Sequence, residues 1–129
     1  MVKELEKLAG IPGHDVPFLI VAGRALTPRQ AYDAWLKGGK AREEVERALR
    51  ARGIDSPSNE EIRQLALAHY VDLARRFPNI KILVPIWGKA TAMTYKQIVD
   101  HLMTKDEIAV AICEAYKLRL EEMKIIARQ

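Results

Sequence analysis

The chain is poor in cysteine, histidine, aromatics and side-chain amides, and each shortage excludes something. One cysteine, Cys113, in 129 residues rules out an intramolecular disulfide and a cysteine-based zinc or iron–sulfur cluster within one chain. No apolar run approaches the roughly 18 to 20 residues of a membrane span. The start, Met-Val-Lys-Glu-Leu-Glu-Lys, carries acids and has no apolar core, so it does not read as a signal peptide and an intracellular or intravirion protein is expected. There is no HExxH, no His-x-His, no P-loop and no GxGxxG after a strand, so neither a metal nor another cofactor is expected. No internal repeat or low-complexity segment is evident. Asn and Gln total six while Lys, Arg and Glu are abundant, which resembles thermophile usage.

What is present is segregated charge. The formal net charge is only +4, yet residues 16–42 sum to +4 and residues 73–99 to +5, the latter with no acid at all. The remaining three segments are slightly acidic. Segregation of this kind is the footprint of a phosphate-binding surface, or simply of a solvated basic face.

Helix signals are explicit. Thr27-Pro28-Arg29-Gln30 combines an N-cap Thr, a first-turn Pro and a Gln three residues on, opening a helix that runs to about Lys37 and stops at Gly38-Gly39. A second helix is expected from Ala41 to Arg52, ending at Gly53. Ser58-Asn59-Glu60-Glu61 opens a third, which stops before Pro78. Thr94 with Gln97 opens a short helix, and Thr104 with Glu107 opens the last and longest, from Lys105 to near the end. The wide apolar face of that helix, from Ile108 to Ile126, suits the centre of a bundle or an interface with another chain. Two segments, around residues 16–22 and 80–86, read either as short strands that could pair with each other or as extended connectors. Both contain Pro, and the connector reading is preferred. The expected fold is all-α, a bundle of about four to five helices (residues 27–129) with an extended N-terminal arm (residues 1–26).

Candidate catalytic groups are few. His14-Asp15 and Asp100-His101 each set a histidine beside a carboxylate, and His69 sits in a helix near its apolar face. None has a second ligand or a nucleophile at a useful spacing, so all three read as ordinary histidines. Cys113, inside an apolar stretch, reads as a small hydrophobe. Trp35, Trp87 and Tyr95 lie in or beside the basic segments. They suit core anchoring, or stacking on bases.

Taken together, the Pro/Gly-rich stretch Met1–Gly23, the basic helices Thr27–Arg52 and the apolar helices Ser58–Phe77 and Thr104–Arg128 resemble the layout of major capsid proteins of filamentous and rod-shaped viruses of hyperthermophilic archaea. The resemblance implies a structural, non-enzymatic protein of a helical virion, present in the host cytoplasm before assembly. It implies a homodimer or a heterodimer with a paralogous subunit, assembled into a filament that wraps linear double-stranded DNA, held in A-form, without reading its sequence. The candidate phosphate contacts are Arg24, Arg29, Lys37, Lys40, Arg42, Arg75, Arg76, Lys81 and Lys89. Glu43, Glu44 and Glu46 follow directly on Arg42 and must face away from the DNA on this reading. Two rival readings stay open: a small helical transcriptional regulator using Thr94–Lys117 as a helix-turn-helix, and a protein-interaction adaptor using the last helix.

Overall fold

Helix, hairpin and two further helices follow one another twice along the chain. The computed structural model describes residues 2–10, 16–52 and 57–128. The first set is α1 (Val2–Ala9), β1 (Leu19–Val21), β2 (Arg24–Leu26), α2 (Pro28–Lys37) and α3 (Gly39–Arg52). The second is α4 (Asn59–Arg76), β3 (Lys81–Ile86), β4 (Lys89–Thr94), α5 (Tyr95–Thr104) and α6 (Glu107–Arg128). His14-Asp15 and the expected stop at Gly53 lie outside the described residues.

The all-α expectation is corrected by this order. The fold is mixed, with six helices and two antiparallel two-stranded sheets among the described residues. Residues 16–22 and 80–86 contribute strands that pair not with each other but each with the strand directly following it, Leu19 opposite Leu26 in one hairpin and Lys81 opposite Thr94 in the other. The signal was local. Each hairpin turns through an aliphatic–X–Gly–cation sequence, Val21-Ala22-Gly23-Arg24 and Ile86-Trp87-Gly88-Lys89. Both central residues of each turn have positive φ, 50° and 79° in the first and 47° and 79° in the second. That is the requirement of a type I′ turn, whose twist suits two-residue hairpins. Pro85 does not block β3, because a strand with a single partner has an edge on which the missing N–H is not needed.

Nor do residues 2–10 and 16–26 form an extended arm. α1 packs on α2 and α6, and β1 packs on α3 and α4. Leu5 and Leu8, one turn apart, are buried, as are Leu19 and Val21 on the inward face of β1. Burying aliphatic side chains of this size contributes roughly 1.5–3 kcal/mol each, which holds these elements to the body.

The repetition extends to side chains. Buried Leu26, Ala31, Val45 and Leu49 recur 67 residues on as buried Met93, Ile98, Ile112 and Tyr116. Both ten-residue helices open with a complete capping box. The Thr27 hydroxyl accepts from Gln30 N–H and the Gln30 side chain accepts from Thr27 N–H; Thr94 and Gln97 do the same. Both end at a residue of positive φ, Gly38 at 72° and Lys105 at 60°. Packing recurs too, α1 on α2 like α4 on α5, and α3 on β1 like α6 on β3. The described residues therefore form two copies of one helix–hairpin–helix–helix arrangement, a structural repeat without an evident sequence repeat. Few residues are identical, and β4 carries two more residues than its counterpart between the cation and the capping Thr, so a residue-by-residue comparison breaks its frame there.

One helix start moves. Thr104 belongs to α5, where its hydroxyl donates to Asp100 O. Asp106 caps α6, one carboxylate oxygen accepting from Ala109 N–H at 3.0 Å. The core is centred on Leu65, Ala66, Ile98, Leu102 and Val45, none of them measurably exposed.

Candidate nucleic-acid interface

Two basic residues of each segment occupy matching places in the repeated arrangement. Arg24 and Lys89 are the exposed first residues of β2 and β4, each directly after the turn glycine and opposite a buried aliphatic, Val21 or Ile86. Arg29 and Lys96 are the exposed second residues of the two capped helices. Lys96 belongs to this set and was not singled out from the sequence. A capping-box alignment of the two segments is the signal that finds it.

The other candidates divide. Lys81 opens β3 opposite Thr94, so it lies at the same end of the second hairpin as Lys96. Arg75 and Arg76, in the last turn of α4, both pair with Asp72, at 2.9 and 3.3 Å, and Arg76 also lies 5.2 Å over the Phe77 ring. Arg75, Arg76, Lys81 and Lys96 thus belong to the base of that hairpin, and Lys89 stands at its tip, about 16 Å along the strand. Lys37 is exposed in the last turn of α2. Lys40 extends into solvent in α3, 4.0 Å from Glu44. The principal partners of α2 and α3 are α1, β1 and β2 rather than the end of α4, so the structure does not gather the candidates into one groove between those helices.

Arg42 is placed differently from the sequence expectation. Its Nε donates to Trp35 O at 3.0 Å and its guanidinium lies 4.1 Å over the Trp35 ring, while Trp35 Nε1 donates to Glu46 at 3.0 Å. This half-buried knot ties α2 to α3 and accounts for Arg42 and Glu46 together.

The titratable groups elsewhere act structurally. His69 is half-buried beside Tyr70 and Tyr116, with ring centroids 5.0 and 5.9 Å away. Burial, aided by the charge of Arg119, lowers its pKa to about 4, so it is neutral at pH 7. Burial pushes the Tyr70 and Tyr116 hydroxyls up, and the Tyr116 hydroxyl donates to Pro17 O across the core. Tyr95 stacks on Tyr70. His101 Nδ1 lies 2.6 Å from Asp106; this bond and the Ala109 N–H hold the Asp106 carboxyl below the usual range. A cleft of about 440 Å³ between the start of α4 and the α5–α6 corner is lined by Glu60, Arg63, Lys105 and Cys113 among others. Arg63 grips Glu60 through two hydrogen bonds, which holds that carboxyl down at about 2. Burial raises the Cys113 thiol pKa, the opposite of what a nucleophile needs.

Of the three aromatics beside the basic segments, Trp35 and Tyr95 are engaged internally, and Trp87 is exposed at the tip of the second hairpin. Among the described residues no three His, Cys, Asp or Glu side chains are grouped to hold a metal ion, and no helix is long and apolar enough to cross a membrane. No family model, curated protein or solved structure matches this chain.

Proposed function

We propose that this protein is a structural, non-enzymatic double-stranded-DNA-binding protein that holds the duplex through its phosphates without reading sequence. One observation supports this reading above the rest: both copies of the repeated arrangement set an exposed cation at the hairpin tip and another at the second position of a capped helix, Arg24 with Arg29 and Lys89 with Lys96. Fold symmetry does not require this of solvent positions, and a repeated polyanion favours it. Packaging of linear DNA in a helical virion, by a homodimer or a heterodimer with a paralogous subunit, is the most specific form of the reading. Its support is the resemblance in layout alone, and α1 with the first hairpin takes the place of the extended arm in that layout.

The test is fluorescence anisotropy on random-sequence linear duplex at several salt concentrations. Four phosphate contacts give a log–log slope of about −3.6, and Arg24→Glu with Lys89→Glu removes most of the binding. Absence of binding at low salt overturns the reading. A strong preference for one sequence over random DNA favours the regulator instead. The adaptor is favoured by Val110, Leu118 and Ile125, which stand exposed along α6. It requires association through apolar surface, insensitive to salt.

A further inference from the structure

We infer that the β3–β4 tip contacts the bases themselves: the Trp87 indole inserts at a base step of the bound duplex while Lys89 takes a flanking phosphate. This rests on the DNA-binding reading above. Trp87 is 69% exposed and holds a φ of 47°. A bulky aromatic is disfavoured on both counts in a free protein, and strain of this kind persists at sites that act on a partner. The first hairpin solves the same turn with Ala22, so the geometry does not demand an indole. The second hairpin is also the longer, six residues per strand against three, which carries its tip further out.

The surroundings of the ring specify the partner. Lys89 is exposed two residues on, Lys81 is exposed on the same strand pair, and no acid occurs from residue 73 to residue 99, so the partner is anionic. The ring stands alone at the tip. Ile86 before it is buried, and Gly88 after it has open space where a side chain would be. One flat ring beside one cation fits a base beside its phosphate. Behind the ring, the outward face of the hairpin offers Leu83, Pro85, Ala90 and Ala92, a smooth apolar ribbon of the kind that lies along a shallow groove. Apolar wedges that unstack a base step act in this way.

The experiment uses the full chain and random linear duplex. Trp87→Ala and Trp87→Gly are compared with wild type by anisotropy; the glycine variant suits the positive φ and separates loss of the ring from backbone strain. The emission of Trp87 is isolated by difference from Trp87→Phe. The expected result is about 10-fold weaker binding for both variants, an unchanged salt slope, unchanged or raised melting temperatures, and quenching of Trp87 by DNA. Wild-type binding with both variants within twofold of it overturns the inference and leaves the DNA-binding reading standing. Failure of wild type to bind overturns both. Trp87 emission that shifts to the blue on phosphatidylserine vesicles and is unmoved by DNA assigns the tip to a membrane surface instead.

Discussion

Arg42 and Arg24 are indistinguishable as sequence symbols, since each is a cation in a basic segment. Their surroundings separate them, because Arg42 is bonded to Trp35 O and stacked on its ring while Arg24 is exposed at a turn. Arg42→Ala should therefore destabilise the fold by about 1–2 kcal/mol, from one hydrogen bond and one cation–π contact, without changing the salt slope of DNA binding. Arg24→Ala should leave thermal stability unchanged and reduce that slope by about one. Melting curves and salt titrations of the two variants check both statements. His69 carries a pH prediction. It faces Tyr70 and Tyr116, with Arg119, Asp72 and Arg76 as the charges acting on it. Above pH 6.5 the ring is neutral in the folded and unfolded chain and contributes nothing. From 6.5 down to about 4 only the unfolded chain takes up the proton, so stability falls, by about 3 kcal/mol at the end of the window. Below that both states are protonated and the loss levels off. Denaturant melts between pH 7 and 4 should show this decline, and His69→Gln should flatten it.

The helices were legible because their start signals are short-range. The Thr27 and Thr94 capping boxes formed as their spacing requires, and each Thr→Ala change should cost about 1 kcal/mol, read as a lower denaturant midpoint at unchanged slope. The start of α6 falls at Asp106 rather than Thr104 because Asp106 caps with its side chain and its C=O already accepts from Val110 N–H. Lys105 fills the left-handed position between the two helices at φ 60°, where Gly is favoured. Lys105→Gly should stabilise by about 0.5–1 kcal/mol, seen as a rise of about 3 °C in melting temperature. The strands are half legible: both segments read as extended, but their partners do not follow from the local pattern. The apolar alternation of β1 is only three residues long, and the turn signal X–Gly is weaker than Asn–Gly or Asp–Gly when Ala or Trp occupies the first place.

At the scale of the whole molecule, the repeated arrangement sets a cation at each hairpin tip, Arg24 and Lys89. If the two tips act together, Arg24→Glu and Lys89→Glu should each weaken duplex binding, and the double variant should lower the salt slope by about twice the single loss. A variant that loses binding at one tip alone assigns the contact to that hairpin. Unfolding should be a single transition rather than one per half, because α1 of the first half packs on α6 of the second, and β1 and β2 pack on α4. Calorimetry that resolves two transitions would contradict this.

Whatever depends on neighbours within a few residues is readable from the chain: the helix starts at Thr27, Ser58 and Thr94, the stops near Gly38 and Phe77, and the separation of charge into two segments. Capping bonds, left-handed turns and the excess of Lys and Arg are all local chemistry. Long-range packing makes Leu5 and Leu19 core rather than arm, sets Arg42 against Trp35, leaves Trp87 in solvent, and puts Arg24 and Lys89 at matching hairpin tips. These depend on which distant surfaces meet, and the free energy that selects them is burial of apolar area between elements, summed over pairs that no short stretch of chain contains.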